Sequence, residues 1–165
     1  MLLTALLAWL HVVSAIGWLG GGIMFGFVIA PALSKLSPLS SGEFFVKIGP
    51  RIAVFFQVIA GTTILFGALL LYNLGGFGLL TPSNTYGIEL MIGVTFALIA
   101  FVVSEFFGVP PLLKAVRLIR EMQSSERHEP PADLPRTLRI AALTATLTVA
   151  LLILTSIFMV AAGFY

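Results

Sequence analysis

The stretch IAALTATLTVALLILTSIFMVAAGF, residues 140–164, runs for 25 positions without a charged side chain. A hydrocarbon core about 30 Å thick is crossed by roughly 20 helical residues, so this stretch is long enough to span a bilayer. Similar apolar stretches precede it in the chain. Together these stretches predict an all-α fold: a polytopic membrane protein with a single four-transmembrane-helix bundle over residues 1–165. The four helices are expected at approximately 2–29, 52–72, 88–109 and 138–164.

The composition of the chain supports the same class. Hydrophobic residues make up 59% of the 165 residues, charged residues 10%, and the mean hydropathy is +1.09. A water-soluble domain of this length could not hide so much apolar surface, so the lipid bilayer is the expected environment. The chain has no cysteine, which excludes disulfides, thiolate metal sites and cysteine nucleophiles, and no pattern indicates nucleic-acid binding.

The basic residues predict the orientation. All nine Lys and Arg residues flank the first and third connections, whereas the second connection, residues 73–87, has none. The positive-inside rule therefore predicts that loops 30–50 and 110–137 are cytoplasmic and that both termini lie outside, in a multi-pass protein of the cell (inner) membrane. Residues 112–122 alternate apolar and basic side chains at helical spacing, which predicts an amphipathic extension at the membrane surface.

Three polar side chains fall within the predicted spans, where polar groups are costly and are usually retained for function. His11 lies about 15 Å along its helix from Met1, near mid-membrane. Glu89 and Glu105 lie about 24 Å apart on the third helix by the same rise, so they cannot form a catalytic pair. The other histidine, His128, falls in a mixed-charge loop with no second histidine nearby and is interpreted as a solvated residue.

The first helix carries a distinct face around His11. Gly17 and Gly21, like Gly22 and Gly26, form small-xxx-small pairs that allow close approach of a helix or a flat ligand. One interpretation is close packing, either within the bundle or with a second copy or another membrane subunit. The other is that His11 is an axial ligand of haem iron. The residues that follow His11 on this face are Ser14, Ala15, Trp18, Gly22 and Phe25.

Residues 10–21, LHVVSAIGWLGG, resemble the first-helix motif of the CopD-like membrane proteins, in which a histidine is followed seven residues later by tryptophan and then by glycines. The related HemJ-type protoporphyrinogen oxidases share this arrangement. The resemblance continues more weakly through Pro31, through Gly61 or Gly67, and through Leu138 and Arg139 to Met159.

The resemblance implies a four-helix fold with His11 as a haem or metal ligand. HemJ-type proteins are associated with haem b and oxidase activity, and CopD-like proteins with copper handling. Glu89 stands where the oxidases have a lysine, and no cluster of Met and His suits a soft copper ion. Met159 is a candidate for the sixth coordination position of the iron. The implied cofactor is haem b, with the expected binding residues His11, Ser14, Trp18, Gly22, Tyr72 and Glu89.

Three classes of function stay open at this point. The first is a haem b protein with a redox or electron-transfer role. The second is a transporter of a small solute or copper, which requires a polar path through the membrane. The third is an accessory subunit of a membrane complex. The sequence leaves open whether the protein catalyses a reaction, and an enzyme would be a membrane oxidoreductase. The polar path would use Glu89, His11, Thr62, Gln57 and Glu105.

Overall fold

The computed structural model describes residues 1–124 and 131–164, and His128 lies outside them. The described chain is almost entirely helical, with four helices long and apolar enough to cross a membrane. The protein is therefore an all-α, multi-pass membrane protein with a four-helix bundle. Its helices are α1 (Leu2–Leu33), α2 (Pro38–Leu74), α3 (Thr85–Ser124) and α4 (Leu134–Ala162).

Local capping groups set several helix ends. The Ser37 hydroxyl accepts a hydrogen bond from the Ser40 N–H at 3.2 Å at the start of α2. The Asn84 side chain accepts from the Gly87 N–H at 2.7 Å and begins α3. At the end of α2, Gly75 has a φ of 146°, a conformation that favours glycine and turns the chain away from the helix.

The helices extend further than the sequence pattern predicted. Two π-helical turns, Phe25–Ile29 and Val103–Gly108, directly precede Pro31 and the pair Pro110 and Pro111. A proline removes one backbone hydrogen bond and crowds the preceding turn, and a wider π turn accommodates both effects. The prolines therefore lie inside α1 and α3 and do not end them.

The first connection is also shorter than predicted, because α2 begins at Pro38 and continues through Pro50. Residues 112–122 continue α3 as a helix, and their apolar face packs inside the protein. Ala115 and Ile119 form a buried cluster with Leu134 at the start of α4. Partly buried Phe45 and Val46 of α2 complete it. The predicted extension thus joins α2 and α4 beyond the central bundle.

The centre of the bundle is filled by one tryptophan. Trp18 of α1 is 1% exposed and packs in a cluster with Ala60 of α2, Ala100 of α3 and both Leu151 and Leu152 of α4. The two alanines leave room for the indole ring, so the small and large residues of opposite helices fit together. Around this centre α1 packs along α2, and α3 packs along α4.

Candidate functional site around His11

His11 lies on the stripe of α1 that faces the bundle. Leu7 lies four residues before His11, and Ser14 and Trp18 lie three and seven residues after it. They are buried, at 9%, 8% and 1% exposure. His11 itself is only partly buried. The His11 side chain is therefore partly accessible, whereas its neighbours on the stripe are buried.

The imidazole is held by the backbone of α2. Its Nδ1 lies 2.9 Å from the carbonyl oxygen of Thr63. Since a carbonyl oxygen only accepts hydrogen bonds, Nδ1 must carry the proton and donate. In the neutral ring Nε2 then has a free lone pair, and it makes no hydrogen bond within the described residues.

Gly67 makes this contact possible. In an α-helix the side chain of residue i+4 lies over the carbonyl of residue i, and Gly67 stands four residues after Thr63. A Cβ at position 67 would lie 2.8 Å from His11 Cε1 and 3.0 Å from Nδ1. The absent side chain therefore lets the ring reach the Thr63 carbonyl. In the sequence, Gly67 stood out only through the weak family resemblance, although it lies four residues after Thr63.

Elsewhere along the interface between α1 and α2, side chains make the contacts between the two helices. The Thr4 hydroxyl donates to the Asn73 side-chain oxygen at 2.7 Å, at the end of the bundle that is predicted to face outside. Further along, a Cβ on Gly17 would meet Ile59 at 3.0 Å, and one on Gly21 would meet Phe55 at 3.1 Å. This small-residue pair thus serves packing inside the bundle.

We expect Gly67→Ala to lower the free energy of unfolding by about 1 to 3 kcal/mol, because the added methyl group displaces the His11 ring from a packed position. Gly61→Ala on the same helix is the matched control, since a Cβ there meets nothing within 4 Å. That change should be neutral or slightly stabilising. Unfolding titrations in mixed micelles measure both variants, and equal stabilities would contradict the contact between Gly67 and His11.

The other predicted binding residues lie at a distance from His11. Ser14 is one turn away on α1, and Trp18 is about 10 Å away along the helix axis. Gly22 is about 16 Å away by the same rise, and a Cβ at this position would lie 2.9 Å from Val149 of α4. Tyr72 is 79% exposed at the end of α2. Ser14 is therefore the predicted lining residue that directly adjoins His11 on its helix.

Glu89 and Met159 belong to the opposite helix pair. Met159 of α4 packs against Gly93 of α3, with its sulfur 3.4 Å from the position of a Cβ on that glycine. Glu89 lies one turn before Gly93, and its Oε2 is buried without a hydrogen-bond partner. Because α3 packs mainly along α4, these residues are not gathered around His11.

Thr62 of the hypothetical transport path is satisfied within its own helix. The Thr62 hydroxyl donates to the carbonyls of Val58 and Ile59, at 2.9 and 3.0 Å. Gln57 of α2 interacts with the Glu105 carboxyl group of α3, whose Oε1 is buried without a partner. This pair joins two of the predicted path residues. Residues 1–124 and 131–164 hold no group of three or more His, Cys, Asp or Glu suited to a metal ion.

One buried donor in the bundle centre also lacks an acceptor. Trp18 Nε1 is inaccessible and has no hydrogen-bond partner among the described residues. Buried polar groups are usually paired with protein, water or a ligand, so this N–H is an exception inside the packed core. His11 and Trp18 thus present one unprotonated ring nitrogen and one N–H donor on the same face of α1.

Comparison of the chain with protein-family models, curated proteins and solved structures gives no match.

Proposed function

We propose that this chain is a membrane haem b protein with a redox or electron-transfer role, in which His11 Nε2 binds the iron. The observation that carries the proposal is the hydrogen bond between His11 Nδ1 and the Thr63 carbonyl. Histidines that bind metals commonly donate the other ring N–H to a backbone carbonyl or a carboxylate, which fixes the tautomer. The resemblance of residues 10–21 to CopD-like and HemJ-type proteins supports the same ligand.

The residues around His11 have separate roles in this proposal. Thr63 and Gly67 hold the imidazole in place. Haem supplies one-electron chemistry when it is bound.

A haemin titration of the purified protein tests the proposal. We expect a Soret band that saturates at one haem per chain, because His11 is the only histidine in residues 1–124 and 131–164. Reduction with dithionite should give the sharp bands of a b-type haem. A protein that folds with a helical spectrum but takes up no haem would refute the assignment and favour the transport or accessory-subunit alternatives.

We also propose that the protein lies in the cell membrane with both termini outside. In this orientation the extension of α3 lies in the cytoplasm. We expect Ser83→Cys to react with an impermeant maleimide in intact cells, whereas Ser124→Cys should react only after the cells are opened. Both positions are exposed, and the chain has no native cysteine to compete. The reverse labelling pattern would contradict the orientation derived from the basic residues.

A further inference from the structure

An open cavity of about 390 Å³ lies between α3 and the beginning of α4, at the basic end of the bundle. One part of its wall is charged and contains Lys114, Asp133 and Arg136. Another part is apolar and includes Phe106 and Phe107. The cavity therefore combines a place for an anionic group with a place for hydrocarbon.

Helix geometry places this cavity at the boundary of the membrane. A span of 20 residues, about 30 Å, counted from Thr85 along α3 reaches Glu105, immediately before the cavity wall. The same length counted back from Ala162 along α4 reaches Ala142, close to Ile140 in the cavity wall. Both helices thus leave the hydrocarbon core where the charged side chains begin.

The charges at the cavity favour an anion. Lys114 Nζ lies 3.1 Å from Asp133 Oδ2, so these two charges offset each other. Arg136 has no carboxylate partner in residues 1–124 and 131–164. Lys114 also borders an adjacent cavity of about 360 Å³, which includes Arg117. The site therefore has a net positive charge.

The apolar part of the wall faces outward. Phe106 and Phe107 are 66% and 60% exposed, and they directly follow Glu105, where α3 reaches the hydrocarbon boundary. Lipid acyl chains can cover these rings while the basic side chains reach the headgroup region. Soluble anions would use the charges alone, whereas a lipid would use both parts of the wall.

We propose that this cavity binds the phosphate headgroup of an anionic phospholipid through Lys114 and Arg136, with its acyl chains along Phe106 and Phe107. Basic pockets between membrane helices commonly recognise such headgroups. Asp133 limits the affinity, because its carboxylate neutralises Lys114. The proposal is independent of haem binding at His11.

The test measures binding of fluorescent phosphatidylglycerol to the purified protein in neutral-detergent micelles by fluorescence anisotropy. The double variant Lys114→Gln with Arg136→Gln should weaken binding about 25-fold, at roughly a factor of five for each cation. The matched control is Lys47→Gln with Arg120→Gln, which removes the same charge from exposed positions outside the cavity. The control should change binding much less.

Asp133→Asn should have the opposite effect and strengthen binding about fivefold, because it frees Lys114 from its ion pair. This gain cannot arise from a loss of folding. Unlabelled phosphatidylglycerol should displace the probe, whereas phosphatidylcholine and inorganic phosphate should not. Equal losses in the two double variants, no gain with Asp133→Asn, or displacement by inorganic phosphate would each overturn the proposal.

Discussion

Protein carrying His11→Ala is expected to bind no haem, so the Soret band of the haem-loaded parent should be absent. The imidazole is the proposed iron ligand, and alanine offers no lone pair to replace it. The neighbouring Ser14 is buried but its hydroxyl is a poor ligand for haem iron. Absorbance in the Soret region, normalised to the amount of folded protein, measures the effect.

His128→Ala is the matched control, because it removes the other of the two histidines in the chain. Its Soret band should keep the position and intensity of the parent band. Adding free imidazole to the His11→Ala protein should restore part of the band, since the ligand then enters the space that the side chain left. An unchanged spectrum of His11→Ala would remove His11 as the ligand.

Trp18→Ala is expected to lower the free energy of unfolding by about 3 to 5 kcal/mol, as for other deletions of a large buried aromatic side chain. The indole ring fills the point where all four helices meet, and the small residues Ala60 and Ala100 cannot close the resulting cavity. Unfolding titrations by circular dichroism in mixed micelles would measure the loss.

Trp9→Ala provides the comparison for Trp18, because these are the two tryptophans of the chain. Trp9 is 62% exposed on the surface of α1, where lipid replaces the contacts of the side chain. Its removal should change the free energy of unfolding by about 0.5 kcal/mol or less. Equal losses for the two variants would show that Trp18 does not form the centre of the bundle.

The fold class could be predicted from the sequence because the bilayer imposes a length and an apolar composition on each span. The helix ends were harder to predict. The first and third helices were predicted to end at residues 29 and 109, before Pro31 and Pro110, but π turns accommodate the hydrogen bonds that these prolines lack. Local residue preferences could not show this, since the apolar environment and the packing of neighbouring helices keep α1 and α3 continuous.

The candidate site was only partly predictable. His11 stood out because an imidazole is rare in the membrane interior, but its partner is a backbone carbonyl, which no side-chain pattern reveals. The sequence also did not show which helices pack against each other. The side chains of Tyr72, Glu89 and Met159, which were also predicted to bind haem, have suitable chemistry. However, Tyr72 is exposed, and the other two belong to the α3–α4 pair. Spacing along a single helix did predict that Ser14 and Trp18 share one face of α1 with His11, and both are buried.

Pulsed electron paramagnetic resonance of the ferric haem complex tests the central claim most directly. In the His128→Ala protein His11 is the remaining histidine, so labelling with ¹⁵N-histidine marks this one side chain. The account predicts hyperfine coupling of a directly bound ¹⁵N nucleus to the iron. A haem signal without ¹⁵N coupling, or a folded protein that takes up no haem, would contradict it.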